Sequence, residues 1–367
     1  MDCIQPDGHA ILVACFWRAL KIYVNVRRNG PARLMIRTPP GTKFWMRMCI
    51  FMPSYVTHTL FGQSVLKSLL AAKEDAAARI IQDNPAAFQW GAQGPDILFF
   101  RNGFKRAPNP LGDYGARMHK TKNALLLEAM REYLSQNGGN GAAAAYVSGF
   151  LCHYCLDRAV HPYIYFMQEK MRDRYHSSLP YGIHMKLETD LDTAMYLRQA
   201  GGNIRAYRMD PQLIEAKPQL KAIGELQAHV ISKVYQGDFQ PEDIEACIVN
   251  AFKKERFMFD PTYVKSWLFC KLLDLIRNER NAQSANCRPK RVNYDILNLG
   301  RQEWHNFRVK GAARHESVPE LFDAAVQAAA ALIGQMWQAA AEDRPLGLDD
   351  DIPTFDDGNP AAFGLEV

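Results

Sequence analysis

The chain has 367 residues, 48% of them hydrophobic, enough for one large or two medium domains with a substantial core. Its net charge of +5 is uneven: residues 1–51 hold eight Lys and Arg against Asp2 and Asp7, while the remainder carries 36 basic and 37 acidic residues, so the body is neutral and specific nucleic-acid binding is not expected. Eight scattered cysteines in so long a chain exclude a disulfide scaffold and read as reduced thiols, and no run of about 20 apolar residues marks a transmembrane segment.

Residues 1–51 have four prolines, at 6, 31, 39 and 40, and no clear period. They are expected to be a non-native or disordered amino-terminal extension, with Met52 as the true start. The stretch 10–26 comes nearest to a transmembrane run, but Arg18 and Lys21 interrupt it, and it lacks the basic–apolar–small-residue layout of a signal peptide. The expected location is therefore the cytoplasm, with secretion as the alternative. At Met52 a helical period begins, with Leu60, Val65, Leu66, Leu69 and Leu70 near 3.6 spacing. Helices are expected over 58–82, 83–91, 116–136, 141–176, 180–200, 211–236, 241–254, 261–280 and 317–341. Strand-like alternation is nearly absent, so the expected fold class is all-α, one domain over 52–341 with a loop-rich stretch at 92–115. Residues 342–367, with "LDDDIPTFDDGNP", are expected to be an acidic, loop-like tail.

The segment "LCHYCLDRAVHP" places His153, Asp157 and His161 at successive steps of four. A helix turns about 100° per residue, so each step advances about 40° and the three side chains share one stripe. An ionised carboxylate between two imidazoles makes little sense as packing, because a buried charge without a strong partner is costly. A divalent metal supplies that partner, since zinc takes neutral imidazole nitrogen and carboxylate oxygen. Cys152 and Cys155 lie well round the helix from His153 and read as small core residues. "YGIHMKLETDLDTAM" repeats the pattern with His184 and Glu188, with Asp192 one turn further and Asp190 on the opposite face. Asp96 in "WGAQGPDILFF", His119 in "YGARMHKTK" and His58 in "MPSYVTHTLFG" are polar residues in apolar company. Taken singly, they also read as a turn residue, a loop histidine and a cap.

Taken in chain order, His58, the GPD containing Asp96, His119, the His153–Asp157–His161 helix and the His184–Glu188 helix resemble the zinc-dependent phospholipase C family, whose fold is shared with the S1/P1 nucleases. The resemblance covers motifs over about 52–200. It implies a multi-helix bundle with two to three Zn2+ ions in a cleft. By the same resemblance Asp96, His119, His153 and Asp157 would surround one zinc, and His161, His184 and Glu188 a second. His58 would hold a third, bridged by Asp157, and Asp96 would be the catalytic carboxylate that orients or deprotonates the attacking water. Two departures stand out. The family's usual wider spacing to the last histidine, after a proline, is here a four-residue step before Pro162. The family's third zinc is also bound by the free amine of the mature first residue, and here Pro53 would take that place only if it is the mature amino terminus.

The activity implied is zinc-dependent phosphodiester hydrolysis of a phospholipid or related substrate, with transient contact with a membrane surface. The alternatives are a single-strand nuclease or nucleotidase on the same metal site, and a non-catalytic, metal-stabilised helical protein. Tyr114, Arg117, Phe99 and Tyr154 are candidate cleft residues whose blander reading is structural. The segment "RQEWHNFRVKGAARHES", with Trp304, His305, Arg308, Arg314 and His315, reads as a basic surface loop.

Overall fold

The computed structural model describes residues 55–72, 75–103, 107–175, 180–277, 288–306, 313–350 and 352–356. The extension 1–51, Pro53 and Arg308 lie outside them. Among the described residues the structure is all-α, with one isolated pair of ladder bonds between Trp304 and Arg314 in place of a sheet. The helices are α1 (Tyr55–Ala71), α2 (Asp75–Asp83), α3 (Pro85–Gly91), α4 (Pro110–Met118), α5 (Asn123–Gln136), α6 (Gly141–Tyr175), α7 (Pro180–Ala200), α8 (Gln212–Glu215), α9 (Lys217–Tyr235), α10 (Pro241–Met258), α11 (Val264–Arg277) and α12 (Val318–Ala341). A 3-10 segment, Gly94–Phe100, follows α3. No described helix is long and apolar enough to cross a membrane.

The bundle is built round α6, which packs against α1, α2, α3, α7, α9 and α12. Its side chains from Ala145 to Asp157 are buried on every side, as a central helix requires. Glycines set its closest crossing: a Cβ on Gly149 would stand 2.1 Å from the Phe88 carbonyl oxygen, and one on Gly91 2.1 Å from that of Tyr146. This close approach of α3 delivers the chain straight into the 3-10 segment beside His153.

Four expected elements differ from those found. The stretch 58–82 is two helices, α1 and α2. The expected helix 116–136 breaks at His119, where α4 ends; Asn123 Nδ2 donates to the Met118 carbonyl, and Lys122 adopts φ +59° before α5 begins. The stretch 211–236 divides into α8 and α9, because Pro218 has no N–H to give the carbonyl four residues back. The loop-rich stretch 92–115 holds the 3-10 segment and α4. Pro95 and Pro110 read as breakers, but each occupies the first turn of its element, where no N–H is needed.

The tail after α12 turns inward. Asp343 is held by Arg131 and Ser135 of α5, and the Leu346 N–H donates to Glu128. Tyr154 on α6 donates to the Pro353 carbonyl at 2.7 Å, and Phe355 is fully buried. Trp304, read as part of a surface loop, is buried: its indole N–H donates to the Glu316 carbonyl and the Arg314 guanidinium covers its ring.

Candidate metal centre

Each candidate ligand is presented by a different part of the bundle. His58 is on α1, whose first turn is held by Asp192 of α7. One carboxylate oxygen accepts from the Thr57 N–H and hydroxyl, both at 2.7 Å, and the other from the Val56 N–H at 3.2 Å. This is an N-cap supplied by a distant helix, and it satisfies donors that the first turn leaves open. Asp96 sits on the 3-10 segment and His119 at the C-cap of α4. His153, Asp157 and His161 run along one stripe of α6, and His184 and Glu188 along one stripe of α7.

The structure brings these eight side chains together, with Asp157 at the centre. Its Oδ1 lies 3.2 Å from His58 Nε2 and 3.8 Å from His161 Nε2. Its Oδ2 lies 3.0 Å from His153 Nε2 and 3.9 Å from His119 Nε2. Asp96 Oδ1 is 3.3 Å from His119 Nε2. Glu188 Oε1 is 3.0 Å from His184 Nε2 and 3.4 Å from His161 Nε2. Among the described residues the donor atoms form three groups, each within 4.8 Å: His58 with His153 and Asp157; Asp96 with His119 and His153; His161 with His184 and Glu188. Ligands at the usual zinc bond lengths lie about 3.3 Å apart along a tetrahedron's edge, close to these separations.

Three of the imidazoles have their tautomer set by the backbone. His119 Nδ1 lies 2.8 Å from the Gly115 carbonyl, His153 Nδ1 3.2 Å from that of Ala92, and His161 Nδ1 3.1 Å from that of Phe355. A carbonyl only accepts, so each Nδ1 carries a proton and each Nε2 is the nitrogen turned inward, the one that metal-ligating histidines of this kind offer to the ion. His153 Nε2 and Glu188 Oε2 are buried without a hydrogen-bond partner. Lone pairs converging on carboxylate oxygens in a buried site repel unless a cation or protons stand between them. The donor set therefore fits divalent metal.

The titration directions agree. Burial disfavours charge on His119, but the Asp96 hydrogen bond and the charges of Asp96, Asp356 and Asp157 outweigh it and lift its pKa to about 9. Burial wins at His153, whose pKa falls despite Asp157. Burial raises Glu188, but His184 and His161 more than reverse it, to about 2. Asp157 goes well below the usual carboxylate range against its own burial, driven by the charges of His153, His161 and His58. Without metal, protons on His58, His119 and His161, whose pKa values are raised by these carboxylates, supply positive charge to the cluster.

A sequence profile of zinc-dependent phospholipase C matches residues 57–254, more than half of the chain and a range that includes these eight residues. The chain belongs to the zinc-dependent phospholipase C family. It is thus a zinc-dependent phosphodiester hydrolase of the phospholipase C type by family. Searches of curated proteins and of solved structures return no match.

Two groups beside this cluster carried no readable signal. Asp356, in the acidic tail beyond the matched segment, is buried with Oδ1 3.6 Å from His161 Nδ1. Phe355 beside it packs its ring against His119, His153 and Tyr154 while its carbonyl holds His161. Asp192 was visible only as a further turn of the His184 stripe; what it reaches is the backbone of α1. The remaining cleft candidates divide. Tyr154 is tied to the tail, and Tyr114 and Arg117 pack with Tyr235. Phe99 is exposed and lies alongside the His119 ring, at the rim. Cys152, Cys155 and Cys247 are buried thiols, with burial pushing Cys155 up to about 11 and Cys247 up to about 12.

Proposed function

We propose that the chain hydrolyses a phospholipid or a closely related phosphodiester at this centre, with two to three zinc ions. The observation that carries the reading is the convergence of five imidazoles and three carboxylates, with three Nδ1 atoms directed at backbone carbonyls and their Nε2 atoms turned inward. Asp96, His119, His153 and Asp157 would hold one ion, and His161, His184 and Glu188 a second. His58 with Asp157 would hold a third, joined by the Pro53 amine only if Pro53 is the mature amino terminus. Bound zinc supplies positive charge to phosphate oxygens and a bound water of lowered pKa.

The side chains of Asp96 and His184, 17% and 16% exposed, are the most open of the set, so substrate approaches from their side. Asp96 would orient the attacking water and take its proton at an Oδ atom. The water oxygen joins phosphorus, the bond from phosphorus to the alcohol oxygen breaks, and the alcohol leaves with a proton. With a phospholipid substrate that alcohol is diacylglycerol. Phe99 at the rim offers an apolar edge to the leaving group.

Plasma mass spectrometry of the purified chain, without chelator, tests the metal count. Two to three zinc per chain are expected, falling in His153→Ala and Glu188→Ala. Assays on phospholipid vesicles and on single-stranded DNA then separate the lipase from the nuclease. Release of phosphorylated headgroup with intact DNA is the expected result, and zinc-free protein would withdraw the reading.

A further inference from the structure

Helix α11 lies beyond the segment shared with the family, and the start of its outward face carries large apolar side chains. Val264, Trp267 and Leu268 are 65%, 48% and 60% exposed, three of the eight large hydrophobic side chains found exposed among the described residues. At about 100° per residue they fall within roughly 100° of arc. The helix is held firmly at its start. Asp260 accepts from the Ser266 N–H at 2.7 Å, and Lys265 Nζ donates to the Phe257 and Phe259 carbonyls at 2.6 and 2.8 Å. The apolar face is thus presented outward by a fixed first turn.

The exposed charge around it is mostly basic, with exposed Asp295 and, seven residues after Trp267 on the same helix, Asp274 as the acidic exceptions. Between 253 and 272, and between 288 and 293, the exposed charged residues among those described are Lys253, Arg256, Lys265, Lys271, Lys290 and Arg291. The acidic residues described there, Glu255 and Asp260, are buried. Glu255 pairs with Arg288 at 2.6 Å, and Asp260 is occupied by backbone and Thr262. This stands out on a chain whose residues from 52 onward are neutral overall.

The patch is also joined to the metal centre. The Arg205 guanidinium stacks on Tyr263 at 3.5 Å, immediately before α11, and its Nε donates to the Arg288 carbonyl. Arg288 lies 3.9 Å from Asp192, the residue that holds the first turn of the His58 helix.

We propose that the Val264–Trp267–Leu268 face, with its basic border, is the surface by which this protein docks on an anionic phospholipid bilayer. The choice of occupant rests on the phospholipid reading above. Aliphatic side chains and a tryptophan suit the boundary between headgroups and acyl chains, and lysine and arginine reach anionic headgroups while their stems stay apolar. A second copy of this chain would instead bring the same basic border against itself.

The test is co-sedimentation of the full-length chain with vesicles of phosphatidylglycerol and phosphatidylcholine, and with phosphatidylcholine alone. Zinc content and hydrolysis of the soluble diester bis(p-nitrophenyl) phosphate are measured in parallel. Wild-type protein is expected to bind the anionic vesicles preferentially and to lose binding in high salt. Trp267→Ser should bind about tenfold more weakly, with zinc content and soluble-substrate hydrolysis unchanged. Should Trp267→Ser lose zinc, Lys253→Glu with Arg256→Glu decides: binding to anionic vesicles must fall about tenfold or more. Wild-type protein that ignores anionic vesicles overturns the proposal, and so do variants that bind as wild type. A wild-type dimer that Trp267→Ser dissociates would assign the face to self-association instead. A zinc-free, inactive protein that still binds vesicles through Trp267 would sink the hydrolase reading and leave the docking surface standing.

Discussion

His153, Asp157 and His161 were legible because a helix converts a step of four into a shared face, and because charge is expensive among apolar neighbours. Their hydrogen-bonding partners were not. Ala92, Gly115 and Phe355 act through main-chain carbonyls, which every residue has, so side-chain chemistry gives no hint of them. Gly94 lies between these cases, since "GPD" was readable as a motif but its glycine was not explained by it. The backbone there is left-handed, at φ +53°, and a Cβ would stand 2.3 Å from the His153 ring. Gly94→Ala is therefore expected to displace His153 from both groups it shares with His58 and Asp96. Zinc affinity in a competition titration should fall tenfold or more, with helix content by circular dichroism little changed. Wild-type affinity in Gly94→Ala would mean that the His153 ring has room to move and still bind.

At the scale of elements, the long helices and the short α3 follow from the sequence pattern, whereas α2 and α8 are not separated from their neighbours and α4 is not seen as a helix of its own. Pro95 and Pro110 mark breaks in a sequence and starts in the structure, and only tertiary contact distinguishes the two. The tail is a sharper case. Six of its residues from 349 to 357 are aspartates or prolines, which reads as solvated chain, yet Phe355 and Asp356 are buried against the centre. Their packing is long-range, and a local period cannot report it. Because Asp356 stands behind His161 with the Phe355 carbonyl, it is a positioning residue for the His161–His184–Glu188 group. Residues behind a ligating histidine are commonly worth 10- to 100-fold in metal affinity. Asp356→Asn should weaken one class of zinc site by about tenfold, measured by competition with a chromophoric chelator. In a His161→Ala background the same change should have little further effect, since its path to the metal is gone. An equal loss in both backgrounds would make Asp356 a general packing residue.

For the whole molecule, the all-α class followed from the near absence of period-two alternation, and the family order of ligands from residues spread over 131 positions, from His58 to Glu188. What the chain order could not convey is how strongly the centre ties stability to pH. In metal-free protein the His119 pKa is raised to about 9, chiefly by Asp96 working against burial, from an ordinary value of 6.5. A proton held more tightly in the fold than in the unfolded chain stabilises the fold fully below pH 6.5. That contribution is lost as pH rises through about 9. Glu188 acts in the opposite sense: its pKa of about 2 lies below the ordinary 4.5, so its contribution is present above pH 4.5 and fades as pH falls toward 2. Metal-free protein should therefore be most stable between these limits, with a melting temperature that drops by several degrees from pH 6.5 to 9. With zinc bound as proposed, His119 Nε2 would hold the metal and have no proton to lose, and binding would release protons as it does at other histidine sites. Its melting temperature should stay nearly level over the same range, so the gap between loaded and chelated protein widens toward pH 9. Scanning calorimetry at half-unit intervals, with and without chelator, measures the gap directly. A gap that is constant with pH would show that His119 is neutral in the metal-free fold, and that Asp96 faces the solvent without a cation beside it.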